Sequence, residues 1–460
     1  RSSTARSRIA RRTVRADGRG ARALLVLAVV LAYANAVGAS FQFDDFNVIV
    51  NNPMVHSWAA WWSGMPGIRP LLKVSYTANW TSGLGVAGFH VSNIALHAAN
   101  ALFVLALVRR LAPRLVVDAP AAFFTALVFA LHPAQTEAVT YVSGRSTALM
   151  AAFSLLAALA HLRANEAGAR RRAGDRVAVV AWRAFSGLAF LCALAVKEHA
   201  WALPGLLLLC ERLDASVRWR SSLARLWPHA VVLACAFAIT LVVPSYWRLL
   251  GASLDTRSLG DNLLTQIDGV FHLFTGPLAG VGLNIDPDLP VRTAWTIDLV
   301  AKAALLVALL AISMVQWRRR PWLGFGIAWC FVALLPTNSV LPRADVVNDR
   351  HLYLALVGPA LVVAGFATRL PRTSWIAAAA AVALLLGAGT ALRNRDYATE
   401  VSLWEATART SPDKARVWNN LGWAWQQAGR IDDAKRAYDR AIELDPDFWK
   451  ARLNRGALEP

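Results

Sequence analysis

The sequence predicts an all-α polytopic membrane protein, a bundle of about eleven transmembrane helices followed by a C-terminal helical-repeat segment. Three observations lead there. Of the 460 residues, 56% are apolar and only 17% are Asp, Glu, Lys or Arg, against about a quarter charged in an ordinary soluble domain. The apolar residues fall in runs separated by short basic clusters. Residues 393–460 then regain charge and contain no run long enough to cross a bilayer. Intrinsic disorder, collagen and disulfide scaffolds are excluded by the same composition. The net charge of +19 would ordinarily suggest nucleic acid. Its placement between apolar runs instead marks loops on one side of a membrane, so no nucleic-acid partner is expected.

The elements follow in order. Residues 1–22 carry eight arginines and read as a basic cytoplasmic N-terminus ahead of a first span at 24–39; no small-residue cleavage site follows that would make it a signal peptide. Further spans are expected at 89–108, 119–131, 144–162, 179–196, 200–211, 226–244, 297–317, 322–341, 351–368 and 374–392, closing a transmembrane domain over 23–392. Several are shorter than the ~20 residues of a full crossing. With the N-terminus inside, the inner segments (1–22, 109–118, 163–183, 211–225, 316–321, 369–372) hold 26 Lys and Arg, and the outer ones (41–88, 132–146, 197–199, 246–296, 341–351) hold 9. Positive residues accumulate on the cytoplasmic side, so the large loop 41–88 and the tail 393–460 are expected outside, and the loop 246–296 either stays outside or dips partway into the membrane. The four cysteines lie inside apolar segments with no CxxC spacing and read as small core residues.

Residues 415–448 place Trp418, Leu421, Gly422, Trp425, Ala434, Tyr438, Ala441 and Pro446 at the positions of a ~34-residue tetratricopeptide repeat. Trp404 and Pro412 fit the second half of a preceding repeat, and 450–456 the start of a following one. A solenoid needs about three repeats. The segment is therefore expected to rest on the membrane domain or to belong to a longer chain, as the missing initial Met also suggests.

Ionisable residues at membrane depth are costly and default to function. Here they gather at the outer ends of spans. Asp44 and Asp45 lie between aromatics just after the first span. Burial could tune one as a general base; a solvated turn is the equal alternative. Neighbours on an extended chain point oppositely, so a metal held by both is not expected, and no metal site is implied. Trp58, Trp61 and Trp62 form one face of a short interfacial helix, or a sugar-stacking platform. Arg69 and Lys73 could bind phosphate or pair with Asp44 or Asp45. His90, Asn93, His97 and Asn100 form a polar stripe on one helix face, lining a cavity or bonding neighbouring helices. His90, nearest the surface, is favoured as functional.

Glu137, Tyr141 and Arg145 are spaced i, i+4, i+8 in the next outer hairpin. Ser143-Gly144 followed by Arg145 could open a helix as an anion site; a capping box with an internal Glu–Arg pair is the alternative. Lys197-Glu198-His199 and 348–353, with Arg350 and His351, bring further cations to the outer face. A lipid phosphate fits cations at headgroup level. Nucleotide-binding, zinc-protease and lipase motifs are absent.

The ordered motifs FDDF (43–46), IRPL (68–71), FHxxNxxLH (89–97), LHPxxTEAVxYVSGR (131–145), AxKE (195–198) and NDRHLY (348–353), followed by the repeat, resemble the transmembrane-and-tetratricopeptide-repeat (TMTC-like) members of the GT-C glycosyltransferases, in a bacterial version. The segment 260–289 resembles the family's conserved outer-loop segment. The resemblance covers nearly the full chain. It implies a GT-C-type bundle in the bacterial inner membrane that moves a sugar, mannose in eukaryotic relatives, from a polyprenyl-phosphate carrier to a protein Ser/Thr or glycan hydroxyl on the periplasmic face, with inversion and without a cofactor. Asp44 takes the position of the family's base, with Asp45 second. The donor phosphate and its surroundings then fall to Arg69, Lys73, His90, Glu137, Arg145, Lys197, Glu198, Arg350 and His351. The tail carries about one complete repeat where relatives carry many. An inactive scaffold recruiting envelope proteins through its repeat is the alternative from another class. A lipid-linked-sugar transporter would place charges through the full depth of several spans.

Overall fold

Apolar runs with few Gly or Pro interruptions satisfy their backbone internally as helices, the form a chain needs in lipid. A computed structural model describes residues 2–64, 67–170 and 175–459, without the side chains of 2–17 and 372. The arginines among the first seventeen residues, and parts of the expected loops 41–88 and 163–183, lie outside that description. Among the described residues the chain is helical with no strand.

The membrane part comprises α1 (Ser2–Tyr33), α2 (Gly85–Leu115), α3 (Ala119–Leu131), α4 (Arg145–Arg170), α5 (Asp175–Val196), α6 (Leu203–Arg212), α7 (Trp227–Val242), α8 (Leu259–Thr275), α9 (Ile297–Arg319), α10 (Pro321–Leu334), α11 (Val357–Ala367) and α12 (Arg372–Asp396). Helix α4 is the most buried of the spans. It packs on α2 and α5, and α2 packs on α3. Asp118 caps α3, its Oδ1 accepting from Ala121 N at 2.8 Å. Helices α10 and α11 cross where Gly326 and Gly358 face each other; a Cβ on either would overlap the partner's backbone carbonyl region. Small residues permit such close approach in bilayers. Helices α9 and α12 leave most of their apolar surface exposed, as lipid-facing spans do.

The expected eleven spans are not confirmed. Among the described residues six helices are long and apolar enough to cross a membrane, and up to eight if two bent pairs each count as one span. Those pairs break by 57° between Trp219–Arg225 and Trp227–Val242, and by 58° between Asp349–Ala355 and Val357–Ala367. Helix α3, with 13 residues, reaches about 20 Å at 1.5 Å per residue, short of the ~30 Å hydrocarbon core. Helix α10 is similar and α6 shorter. His132-Pro133 after α3 and Lys197-Glu198 before α6 cut these runs with polar or proline residues. The protein is a multi-pass membrane protein with fewer complete crossings than its apolar runs suggest.

The loop 246–296 holds a helix at Pro244–Thr256, α8, and an extended return over 281–296. The tail forms α13 (Glu400–Thr410), α14 (Ala415–Gln427), α15 (Ile431–Leu444) and α16 (Trp449–Gly456). Thr399 and Ser402 form a capping box on α13. At Gly422 of α14 a Cβ would meet the Tyr438 ring of α15 at 2.7 Å, so this pair of helices requires glycine there. The tail is docked on the loops that contain Asn284, Asp286 and Asp345. Asp286, buried, holds Lys414 Nζ at 2.6 Å and Arg416 Nε at 2.7 Å. Arg416 also bonds Asp345 at 2.6 Å, and Asn284 Nδ2 donates to Ser411 Oγ at 2.6 Å.

Candidate active site

The two adjacent carboxylates are separated by their surroundings. Asp44 and Asp45 open a helical turn that continues through Phe46–Val50. Asp45 is fully buried; its Oδ2 accepts from Gln42 N at 3.0 Å and its Oδ1 from Ser143 N at 2.7 Å. It ties the loop after α1 to the hairpin at 142–144. Burial pushes its carboxyl up to about 7 despite those hydrogen bonds. Asp44 is only part-buried. Its backbone N donates to Tyr141 Oη at 3.0 Å. Desolvation raises its carboxyl above the usual range, with Arg350 pulling it back down and Asp345 adding to the rise.

The residue before Asp44 is under strain. Phe43 has φ +47°, a left-handed conformation costing about 1–2 kcal/mol outside glycine. It is held there by Glu400 Oε2, which accepts from Phe43 N at 2.8 Å, and by the Trp404 ring, edge-on at 5.1 Å. Both belong to α13, so the tail positions the loop that carries Asp44.

Glu137 lies buried on the turn Thr136–Val139. Its Oε2 accepts from Arg350 N at 2.8 Å, and Oε1 lies 3.4 Å from Arg350 Nε. The expected i, i+8 partner, Arg145, is elsewhere. The hairpin breaks between Val139 and Arg145, so Glu137, Tyr141 and Arg145 do not share a helix face. At Gly144 any Cβ would collide with the Glu137 carbonyl, which accounts for the glycine.

Arg145 is buried and consumed by structure. It donates to Asn93 Oδ1 at 2.5 Å, Phe89 O at 2.9 Å and Ser75 O at 3.0 Å, and its guanidinium lies over the Tyr76 and Phe89 rings. The expected anion site at its helix start is a clasp between α4, α2 and Pro70–Thr81. The polar stripe of α2 makes interhelical bonds along its length. His90 Nε2 meets Ala39 O at 3.1 Å. Asn93 donates to Val139 O at 3.0 Å. His97 lies between Tyr353 Oη (2.7 Å) and Ala130 O (3.0 Å), and Asn100 donates to Ala148 O at 2.8 Å. His90, expected as functional, is buried and anchors the start of the loop after α1.

The remaining cations gather. Lys197 is buried; Nζ donates to Thr147 Oγ1 at 2.8 Å and Ser146 Oγ at 3.3 Å. Burial depresses its ammonium well below the usual lysine range, and Arg350 and Arg69 add to this. Among the described residues neither Lys197 nor Arg343 has a carboxylate partner within 4.0 Å. Arg343 contacts His199 Nε2, and the His199 ring lies 5.8 Å from that of His351. His351 is buried with both ring nitrogens unpartnered. Arg69 is paired not with Asp44 or Asp45 but with Glu198, at 2.7 Å. Desolvation opposes Glu198 ionisation, but Arg69 and Lys197 outweigh it and hold the carboxyl at about 2. Lys73, part-buried, has no ion pair among the described residues. The cluster therefore carries more positive than negative charge in partly desolvated surroundings, which is unfavourable until an anion arrives. Arg343 and Glu400 were missed by sequence reasoning. Arg343 lies in the outer segment 341–351, where cations are sparse and so informative; Glu400 carries no such signal.

Among the described residues no group of three or more His, Cys, Asp or Glu is placed to hold a metal. Trp58, Trp61 and Trp62, expected as one face of an interfacial helix or as a sugar-stacking platform, lie on the short helix Trp58–Ser63, with Trp58 and Trp62 exposed.

Residues 415–448 match the tetratricopeptide repeat family. The chain is similar to Protein O-mannosyl-transferase F38B6.6 of Caenorhabditis elegans, at 26% identity over 93% of this chain and 64% of that protein. It is 23% identical to human Protein O-mannosyl-transferase TMTC3 over 94% of this chain and 52% of that protein. It is 31% identical to mouse Protein O-mannosyl-transferase TMTC1, over 95% and 59%. It spans about half to just under two thirds of the length of these curated relatives. No solved structure matches it. The chain is TMTC-like over nearly its whole length.

Proposed function

We propose that this TMTC-like chain is a membrane glycosyltransferase of GT-C type, moving a sugar from a polyprenyl-phosphate carrier to an acceptor hydroxyl on the periplasmic face of a bacterial inner membrane. The observation that carries the reading is the juxtaposition of Asp44, part-exposed and raised in pKa, with Arg350 and an excess of cations in partly desolvated surroundings. The names of its relatives, protein O-mannosyl-transferases, make mannose the first sugar to try and a protein the first acceptor.

In this reading the donor phosphate occupies the cluster of Lys197, Arg343, Arg350 and His351, with Arg69 and Lys73 toward its rim. Asp44 accepts the proton of the acceptor hydroxyl as its oxygen attacks the anomeric carbon. The bond from that carbon to the phosphate oxygen breaks, its electrons leave with polyprenyl phosphate, and the configuration inverts. Stabilising the charge that develops on the departing phosphate is usually the largest catalytic term, and the cations serve that need. Glu137 holds Arg350 in place, and Asp45, Arg145 and His90 hold the loop and hairpin around it.

The test supplies labelled polyprenyl-phosphate sugars and an acceptor extract to wild-type and Asp44→Asn protein in membranes. Turnover in wild type that falls roughly 10²–10⁴-fold in the variant is expected of a lost general base. Equal turnover removes Asp44 from the chemistry. No turnover with any donor leaves the scaffold reading.

A further inference from the structure

A second concentration of arginines lies at the far end of the helices that lead to the first. Helix α6 runs from the break at Lys197–His199 to Arg212, and α10 runs from Pro321 toward the segment that carries Arg343 and Arg350. Where α6 and α9 end, away from those cations, a cavity of about 820 Å³ opens beside Arg212, Trp219, Trp317 and Arg318. Trp317 Nε1 donates to Arg212 O at 3.2 Å, joining α9 to α6. Trp219 opens the helix Trp219–Arg225, and the Arg212 guanidinium lies 5.0 Å from its ring centre.

We infer that this cavity binds the headgroup of an anionic phospholipid, with the phosphate between Arg212 and Arg318 and an acyl chain along α9. The site is separate from the Asp44 cluster and does not rest on the transferase reading. Its charge is uncompensated. Residues 212–220 and 317–320 hold six arginines and one acid, Asp214. Asp214 is turned to Ser216 Oγ, at 2.6 Å, and to Arg114, at 3.9 Å. No Asp or Glu lines the cavity. Among the described residues Arg212 makes one side-chain hydrogen bond, from Nη1 to Val217 O at 2.8 Å, and Arg318 makes none. Two guanidinium groups with donors to spare match the oxygens of a phosphate. The exposed Trp219 indole N–H adds a neutral donor.

The position selects a lipid over a soluble anion. Helix α9 has 23 residues, about 34 Å at 1.5 Å per residue, enough to cross the ~30 Å hydrocarbon core. Arg318 in its last turn therefore sits at a membrane surface, and tryptophan beside arginine marks headgroup level. Leu310, Met314 and Arg318 stand at i, i+4 and i+8 on one face of α9, and Leu310 and Met314 are exposed. A chain attached to a phosphate at Arg318 meets that apolar stripe, which a soluble anion leaves bare. The ammonium of a choline or ethanolamine headgroup would be set among the same arginines and repelled, so a headgroup of net negative charge is preferred.

The test uses the full chain in detergent, with dioleoyl phosphatidylglycerol, dioleoyl phosphatidylcholine and inorganic phosphate as separate probes. Native mass spectrometry reads retained lipid and thermal unfolding reads stabilisation. Phosphatidylglycerol is expected to be retained roughly tenfold better than phosphatidylcholine, the scale that two arginines near a headgroup supply, and to raise the unfolding midpoint. Arg212→Gln and Arg318→Gln are expected to erase the preference. Arg318 is exposed, so its variant decides the matter if Arg212→Gln does not fold. Arg170→Gln combined with Arg176→Gln removes two exposed arginines outside the cavity and is expected to keep the preference. Equal retention of the two lipids overturns the inference. A preference lost as fully in the Arg170 and Arg176 variant belongs to overall charge and overturns the site. Stabilisation by inorganic phosphate equal to that by phosphatidylglycerol makes it a soluble-anion site and overturns the lipid assignment.

Discussion

Glu400 Oε2 accepts a hydrogen bond from the backbone of Phe43 at 2.8 Å, across the boundary between the helical-repeat tail and the membrane domain. Its Oε1 accepts from Trp404 Nε1, also at 2.8 Å, so one carboxylate fixes both the ring that packs on Phe43 and the backbone next to Asp44. Glu400→Ala leaves two donors unmade, at about 1–3 kcal/mol for a buried one. Hydrogen exchange over 41–50 is expected to speed up, and turnover to fall with it. Unchanged exchange in that segment would separate the tail from the loop.

Opposed pKa shifts predict a bell-shaped activity profile. Asp44 is raised and must be ionised to act as base, so activity climbs as pH rises through a value above the ordinary ~3.9 of Asp. Lys197 is lowered and must be charged to hold phosphate, so activity falls as pH rises through a value below the ordinary ~10.4. Lys197→Arg keeps the charge at all working pH and is expected to remove the alkaline limb, read from kcat/KM against pH. An alkaline limb that persists assigns it to another group.

Asp45 predicts a pH dependence of stability rather than of chemistry. Its folded value, about 7, exceeds the unfolded ~3.9, so the native state binds the extra proton. Its contribution is full below about pH 4 and is lost as pH rises through 7. Asp45→Asn stays neutral and is expected to flatten the thermal-unfolding midpoint across that window. A midpoint that drops as steeply with pH in the variant would rule out Asp45 as the source.

Glu137 and Arg350 form a buried pair, and removing one partner from such a pair typically costs about 3–5 kcal/mol. Glu137→Ala is expected to lower the folded yield in membranes. Glu137→Gln keeps an acceptor for Arg350 N and should fold, with transfer reduced because the guanidinium loses its counter-charge. Full activity of Glu137→Gln would remove the pair from positioning Arg350.

The class of this protein and much of its outline are local matters. Apolar runs separated by basic clusters determine a helical membrane chain, because lipid leaves few other ways to satisfy a backbone. The eight tetratricopeptide positions over 415–448 likewise announce a helix pair, since Gly422 and Tyr438 have to meet. The gathering of Asp44, Glu137, Lys197 and Arg350 at the ends of spans was also readable, because charge in an apolar chain is conspicuous. The span count was less legible, because an apolar run of thirteen residues does not declare whether it crosses or stops at a proline.

Tertiary structure decided the partners. Glu137 bonds a residue 213 positions away, and Arg69 one 129 positions away, where local spacing suggested Arg145 and the Asp44–Asp45 pair. Arg145 and His90, both candidates by sequence, are spent on backbone carbonyls that other elements bring to them. Asp44 and Asp45 are neighbours of identical chemistry. The amides of Gln42 and of Ser143, the latter delivered by a separate hairpin, hold Asp45 buried, while Asp44 stays part-exposed. Burial and hydrogen-bond partners are properties of elements far apart in the chain, so residue identity fixes which groups can ionise, and packing decides which of them are free to act.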